Sequence, residues 1–279
     1  MAAKKHPLPA SEHDPAGESG DLAVYLEVAS ATARSAGQVL MDSLGQAIVS
    51  EKAPRDLVTQ IDVQSQELIF QRLSDVFPDH LMLGEEQGTH VDWTCRDCWI
   101  VDPLDGTTNY SHNLPGFSVS IALFRDGKPL VGVVYDPWLD EMFTAATGRG
   151  AELNGRAIQP RDCRDLGRSL LVSSFPSTVT PETPELKRFN RVVLRATTRR
   201  LGSAALNFCY VACGRLDGYW ASTLKIWDVA AGVLIAQCAG ACCQHLTGGP
   251  VNWRDPQVVA TGTTELCESL VPLLQIDDD

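Results

Sequence analysis

Apolar residues recur every three or four positions in the first part of the chain. Between residues 21 and 44 they fall at positions 22, 25, 29, 33, 36, 40 and 44. This spacing predicts an amphipathic helix with Gly45 as its C-cap. The pattern Thr59-x-x-Asp62 predicts the start of a second helix, which Phe77-Pro78 ends. Asp62 therefore has a structural interpretation as a helix-capping residue.

The pattern then changes to the alternation of a sheet. Residues 80–86 form a predicted short strand that runs into Gly84-Glu85-Glu86. Two β-rich runs, residues 117–124 and 130–135, flank Asp126-Gly127, which is a strong hairpin pattern. Residues 141–146 add a third antiparallel strand. This part of the chain, residues 21–165, is therefore predicted to be an α+β subdomain with an antiparallel sheet.

Strands and helices alternate after residue 165. Predicted strands cover residues 170–173, 219–220, 241–246 and 258–260, and predicted helices cover residues 184–195, 204–213, 228–239 and 265–274. Asp228 is predicted to be the N-cap of the third of these helices. Residues 166–279 are therefore predicted to form an α/β subdomain. Residues 1–20 lack an apolar core and are predicted to be a disordered tail.

One acidic turn stands out between these patterns. Trp99, Ile100 and Val101 suit a buried strand, which Pro103 is predicted to end at Asp102. Asp105 follows across the turn, so both carboxylates face one point. Gly106 allows close approach of the backbone, and the amides of residues 106–108 suit an anion. A divalent cation between the carboxylates and a bound phosphate reconciles these features.

Four motifs of the chain carry a resemblance to the inositol monophosphatase family of Mg²⁺-dependent, lithium-sensitive phosphatases. They are Asp56-Leu57-Val58-Thr59-Gln60-Ile61-Asp62, Gly84-Glu85-Glu86, Asp102-Pro103-Leu104-Asp105-Gly106-Thr107-Thr108-Asn109 and Trp227-Asp228-Val229-Ala230-Ala231-Gly232. Each motif alone is weak, but four in this order are specific. The resemblance implies an α/β (α+β) fold layered α-β-α-β-α, a homodimer, and hydrolysis of a small phosphate monoester.

The resemblance also implies roles for individual residues. It assigns two or three Mg²⁺ ions to a ligand set of Glu85, Asp102, the Leu104 carbonyl, Asp105 and Asp228. Glu85, Asp105 and Thr107 are the implied catalytic residues, with Glu85 and Thr107 orienting a metal-activated water for in-line attack. The implied substrate contacts are Asp105, Gly106, Thr107, Gly202, Ser203, Ala204 and Asp228. The family places Asp62 beside the metal site, and Glu86 is left out of the ligand set.

Substrate specificity is where the chain departs from the family. Inositol-specific members carry a hydroxyl-binding Glu seven residues before the Trp-Asp aspartate, and here that residue is Ala221. Lys225 is a candidate site cation or a surface Lys. Histidinol-phosphate, fructose-1,6-bisphosphate and nucleotide 3′-phosphate phosphatases, and a catalytically silent metal-binding member, stay open as alternatives. The Asp102-x-x-Asp105-Gly106 turn lacks the ligand run of an EF-hand.

Composition narrows the partners and the compartment. The net charge is −12, which argues against nucleic-acid or anionic-membrane binding. A metal cluster would reverse the charge locally for an anionic substrate. Nine Cys and no secretory signal predict a reduced, cytoplasmic protein. Cys95-x-x-Cys98 lacks a second half at zinc-site spacing, so buried or half-exposed thiols are the preferred interpretation.

Overall fold

The computed structural model of the chain describes residues 15–46, 49–53, 56–86, 91–176 and 178–276. The helices are α1 (Pro15–Asp42), α2 (Gln60–Val76), α3 (Thr107–Ser111), α4 (Pro184–Val193), α5 (Ala204–Ala212), α6 (Ile226–Ala239) and α7 (Thr264–Leu274). The first nine strands are β1 (Val49–Ala53), β2 (Asp56–Thr59), β3 (Leu81–Gly84), β4 (Cys98–Asp105), β5 (Ser118–Arg125), β6 (Lys128–Asp136), β7 (Glu141–Ala146), β8 (Ala151–Leu153) and β9 (Arg156–Ala157). The last five are β10 (Leu170–Ser173), β11 (Thr197–Arg199), β12 (Gly218–Ala221), β13 (Cys242–His245) and β14 (Val258–Thr261).

The first helix begins earlier than the sequence pattern predicted. Helix α1 starts at Pro15, so the structure describes residues 15–20 as helical, whereas the predicted tail covered residues 1–20. Proline suits a first helical turn because its fixed φ is helical and its missing N–H has no partner there anyway. Residues 1–14 lie outside the described part of the chain.

A seven-stranded sheet forms the larger β layer. Its strand order is β3-β4-β5-β6-β7-β8-β9, with β3 and β4 parallel and the later pairs antiparallel. The predicted hairpin between β5 and β6 is confirmed, and both Asp126 and Gly127 adopt the positive φ of its turn. Alternate residues of β4 face opposite sides: Trp99 packs with α1 and α2, whereas Ile100 packs with α5 and α6.

A second sheet completes the layers. Its order is β11-β10-β12-β14-β13. Tyr219 and Val258 of one face pack against α5 and α6, and Trp220 and Val259 of the other face pack with α4 and α7. The sequence of layers is therefore α1/α2, large sheet, α5/α6, small sheet, α4/α7, which confirms the α-β-α-β-α architecture. Helices α5 and α6 share their apolar core with both sheets.

The chain passes from the large sheet to the small sheet between β9, which ends at Ala157, and β10, which begins at Leu170. The predicted division near residue 165 lies in this segment. Because one hydrophobic cluster joins residues from both sides of it, the division into two subdomains stays a prediction. Short strands β1, β8, β9 and β11 did not stand out in the sequence.

Strand β4 continues past the residue at which Pro103 was predicted to end it. Asp102 pairs with Ser120 and Asp105 pairs with Ser118, so β4 has one extra residue between these pairs. This is a β-bulge, a position where proline is tolerated because the ladder is locally interrupted. The buried Ser65 hydroxyl donates to the Pro103 carbonyl at 3.0 Å and ties the bulge to α2. The bulge brings both aspartates to the same end of the strand.

Among the helices that the structure describes, none combines the length and the apolar character needed to cross a bilayer.

Candidate active site

The β4 bulge and the turn after it form the base of the site. The Leu104 amide donates to Asp102 Oδ1 at 3.0 Å, and the Leu104 carbonyl lies 3.1 Å from the Thr107 hydroxyl. Gly106 has φ +94°, and a Cβ there would lie 2.8 Å from the Gly116 carbonyl oxygen. Glycine is therefore required at this position by both conformation and space. The turn holds Asp102, Asp105 and Thr107 in one fixed arrangement.

Asp105 joins the turn to the second half of the chain. Its carboxylate accepts hydrogen bonds from the Ala204 amide at 3.1 Å, from the Ala205 amide at 2.7 Å and from the Ser203 hydroxyl. The Ser203 hydroxyl also caps α5 by accepting from the Leu206 amide. Ser203, predicted to contact substrate, is thus engaged with Asp105 and α5 in this structure.

Glu85 follows β3, which is parallel to β4, so the two strand ends lie side by side. Gln66 of α2 holds this segment: its Oε1 accepts from the Glu86 amide at 2.9 Å. A Cβ on Gly84 would lie 2.1 Å from the same oxygen, so glycine is needed here too. Gln66 was not predicted as a site residue, since a Gln inside a helix belongs to no motif.

Asp228 lies in the first turn of α6, three residues after the N-cap Lys225. The prediction that Asp228 itself is the N-cap is wrong, because the helix begins two residues earlier. Its Oδ2 accepts from the Lys225 amide at 2.6 Å, the reciprocal half of a capping box. The Lys225 side chain is exposed, and it is the Lys225 backbone amide that makes this contact.

Burial and mutual repulsion raise the pKa values of these carboxyl groups. The pKa of Asp102 is raised well above its ordinary value, first by loss of hydration and then by the charges of Glu85, Asp105 and Asp228. The pKa of Asp228 is raised for the same first reason, although Lys225 opposes the shift. The pKa of Asp105 is raised to about 6, because burial outweighs its hydrogen bonds.

The donor set fits a divalent cation. Asp102, Asp105 and Asp228 take part in none of the ion pairs found among the described residues, so no side chain there neutralises them directly. Carboxylate and carbonyl oxygens are the ligands that Mg²⁺ prefers. Within the described residues, no three His, Cys, Asp or Glu side chains already stand at metal-ligand spacing. We therefore expect a bound cation to draw the carboxylates inward.

Asp62 lies next to Thr107. It is 1% exposed on α2, and its Oδ1 lies 3.4 Å from the Thr107 hydroxyl. Helix α2 begins one residue after Thr59, so Asp62 also occupies the capping-box position. The two interpretations of Asp62 are therefore compatible, and the structure brings it to the turn that follows β4.

A cavity of about 270 Å³ opens beside the carboxylates. Asp105, Gly202, Ala204 and Asp228 line it, together with residues of β10 and the segment after it. Ala221, the residue in place of the family's hydroxyl-binding Glu, is buried at the end of β12 and paired with Val258. Its methyl group offers no acceptor for a substrate hydroxyl.

Asn109 is a second residue whose role the sequence analysis missed. Its Nδ2 lies 2.8 Å from both the Gly116 and Leu201 carbonyl oxygens. A Cβ on Gly202, whose φ is +102°, would lie 2.5 Å from the same Nδ2. Asn109 thus fixes the 201–202 turn against the segment that follows α3, and so positions one wall of the cavity.

A sequence profile of the inositol monophosphatase family matches residues 21–277. The chain belongs to this family. It is 38% identical over 257 residues to an inositol-1-monophosphatase of Synechocystis, covering 90% of this chain and 89% of the relative. It is 41% identical over 260 residues to Nus factor SuhB of Pasteurella multocida, covering 89% and 96%.

The fold agrees with solved structures of the family. The inositol monophosphatase of Anabaena (Nostoc) superimposes with a TM-score of 0.82 at 36% identity, covering 91% of this chain and 96% of that one. Membership supports a phosphatase, in a family that generally depends on Mg²⁺.

Proposed function

We propose that the protein is a Mg²⁺-dependent phosphatase that hydrolyses a small phosphate monoester, an inositol phosphate or a related sugar or polyol phosphate. The observation that carries the proposal is the group of carboxylates at the end of β4. Asp102, Asp105 and Asp228 repel one another, the last two line a cavity, and the exposed Lys225 offsets the charge of Asp228 only in part. Such a group needs a cation from solution.

Glu85, Asp102, the Leu104 carbonyl, Asp105 and Asp228 would hold two or three Mg²⁺ ions. When bound, Mg²⁺ lowers the pKa of water and neutralises charge on a phosphoryl group. Glu85 and Thr107 would orient the attacking water, and the Thr107 hydroxyl is already held by the Leu104 carbonyl. Asp105, fixed by three donors of α5, would keep its carboxylate oriented throughout.

The Gly106 and Thr107 amides would bind phosphate oxygens, and the Gly202–Ala204 wall would contact the rest of the ester. Lithium sensitivity, a homodimer and a cytoplasmic location remain predictions from the resemblance. The name Nus factor belongs to the SuhB relatives. The charge of −12 on this chain favours a small substrate over a nucleic-acid partner.

A catalytically silent metal-binding member is the alternative from another class. It would bind Mg²⁺ at the same carboxylates but release no phosphate from any ester. The intact arrangement of Asp62 beside Thr107 favours the phosphatase, because a protein that only binds metal has no need of a residue that orients water.

The test is a panel of small phosphate esters assayed for phosphate release with Mg²⁺ and with chelator. We expect release from at least one polyol or sugar phosphate that requires Mg²⁺. If calorimetry detected Mg²⁺ binding but no ester were hydrolysed, the protein would instead be a catalytically silent metal-binding member of the family. If the protein neither bound Mg²⁺ nor released phosphate from any ester, the metal assignment would be refuted.

A further inference from the structure

The cavity beside the catalytic carboxylates has a basic residue on its wall. Its described lining includes Arg200, Phe175 and Leu224 as well as Asp105 and Asp228. Arg200 is exposed and takes part in none of the ion pairs found among the described residues. Its guanidinium is therefore available to a ligand.

One contact orients this guanidinium, and a second holds the backbone next to it. The Arg200 Cζ lies 4.5 Å from the ring centroid of Phe175, whose ring packs edge-on against Phe189 with a centroid separation of 5.4 Å. The next residue along the chain, Leu201, is tied by its carbonyl to Asn109 at 2.8 Å. Because Asn109 belongs to the motif Asp102–Asn109, the backbone next to Arg200 is held against the segment that carries Asp102 and Asp105.

The remaining wall, as far as the structure describes it, carries no acid that could bind a ring of hydroxyl groups: it includes Ser173, Ser174 and the apolar Leu224. Ala221, where inositol-specific relatives carry an acid, is buried beside it. A guanidinium presents parallel N–H donors that match a carboxylate or a phosphate in a bidentate way. If the phosphoryl group of a phosphate monoester binds at Asp105 and Asp228, the other end of the ester lies in the part of the cavity lined by Arg200.

We propose that Arg200 is a specificity-determining residue that binds a second anionic group of the substrate. The proposal rests on the proposed phosphatase function and narrows it: the substrate is a small phosphate monoester with a carboxylate or a second phosphate at its other end.

The experiment compares two esters that differ at one end only, glycerol 3-phosphate with a hydroxymethyl group and 3-phosphoglycerate with a carboxylate. Fructose 6-phosphate and fructose 1,6-bisphosphate form a second pair, which tests a phosphate as the second anion. The full-length protein with Mg²⁺ is assayed for kcat/KM, and calorimetry gives the Kd of each ester. The variants are Arg200→Gln, Arg200→Lys and Arg199→Gln.

Arg199 supplies the matched control, because it is an exposed neighbour of equal charge that does not line this cavity. We expect the wild type to prefer the member with two anionic groups in at least one pair by about tenfold, the effect of one charge-assisted hydrogen bond. Arg200→Gln should remove this preference and leave the uncharged-end ester nearly unchanged. Arg200→Lys should retain part of it, and Arg199→Gln should retain all of it.

Equal losses on both members of a pair, equal effects of Arg199→Gln and Arg200→Gln, or no preference in the wild type would overturn the proposal. Absence of turnover of all four esters would count against the phosphatase function instead. In that case the Kd ratio between paired esters, compared between wild type and Arg200→Gln, still decides whether Arg200 binds the second anion.

Discussion

The buried carboxylates at the site and those near the small sheet differ in what surrounds them; a further one, Asp136, lies at the end of β6 and accepts from the Trp138 and Leu139 amides. At the site, Asp102 and Asp105 are 1% and 8% exposed and have other acids as neighbours. Near the small sheet, Glu185 and Asp217 are 6% and 1% exposed. Glu185 pairs with Arg188 at 3.1 Å, and Asp217 lies 3.6 Å from an Arg161 nitrogen.

The comparison shows that burial alone does not identify a functional acid. Glu185 and Asp217 each have a protein cation and a further donor, the Ser222 hydroxyl and the Leu170 amide respectively. Their partners lie within the fold, so their role is structural. The site acids have backbone amides and a hydroxyl as donors but form no ion pair within the described residues, and the exposed Lys225 offsets the charge of Asp228 only in part. Their charge calls for a cation from solution.

Replacing one acid from each region should separate the two roles most sharply. Asp102→Asn should lower Mg²⁺-dependent phosphate release by at least about 1,000-fold, because a ligand charge is lost while the acceptor for the Leu104 amide is kept. Asp217→Asn removes a buried charge at the opposite end of β12 from Ala221 and should leave kcat within about threefold. Near-normal release by Asp102→Asn would refute the metal assignment.

The structural region should respond in stability instead. Arg188→Met leaves the Glu185 carboxylate buried without its cation and should cost about 3 kcal/mol of unfolding free energy. Urea denaturation measures this cost, and phosphate release by the folded fraction should be unchanged. Combining Arg188→Met with Glu185→Gln should recover much of the loss. If Arg188→Met alone were as stable as the wild type, the Glu185–Arg188 ion pair would contribute nothing to stability.

Most of the fold followed from pattern and turn chemistry. Period-two runs and Asp126-Gly127 were sufficient for the β5–β6 hairpin, and residues 141–146 and 170–173 form strands with the predicted bounds. Strand β11 was missed because Thr197–Arg199 is short and polar, and its pairing with β10 decides its conformation. The β4 bulge was missed because Pro103 alone suggests a strand end, whereas Ser65 and the β5 partner hold the chain extended.

The site was predictable where it lies in motifs and unpredictable where it depends on contacts between distant residues. Asp102, Asp105 and Asp228 were chosen from their motifs, and the structure brings them together. Gln66 and Asn109 position backbone turns through side-chain amides, and only the folded chain shows which carbonyl or amide each one reaches.

The pH dependence of stability should differ between the regions as well. The pKa of Asp105 is raised to about 6 in the folded protein from an ordinary 3.8, so the folded state binds its proton more tightly. The stability this provides is present below about pH 4 and is lost as pH rises through 6. In chelator, we expect Asp102→Asn to exceed the wild type in unfolding free energy by on the order of 2 kcal/mol at pH 8.

That excess should shrink as pH falls towards 5, because the wild-type carboxyl groups then become protonated. Urea denaturation in chelator at pH 5, 6.5 and 8 measures it, and added Mg²⁺ should stabilise the wild type only. A constant difference between the two proteins across this range would mean that the site acids do not repel one another.

The smallest effect is expected at Lys225, a cation near the site whose charge opposes the rise in the pKa of Asp228. The contact with the carboxylate, however, comes from the Lys225 amide at 2.6 Å, and the side chain is exposed. Water screens an exposed charge, so Lys225→Gln should change kcat/KM by less than about threefold. Steady-state kinetics at low and high salt measures this change. A loss of 100-fold would instead make the ammonium group a substrate ligand, and the site would then contain its own cation after all.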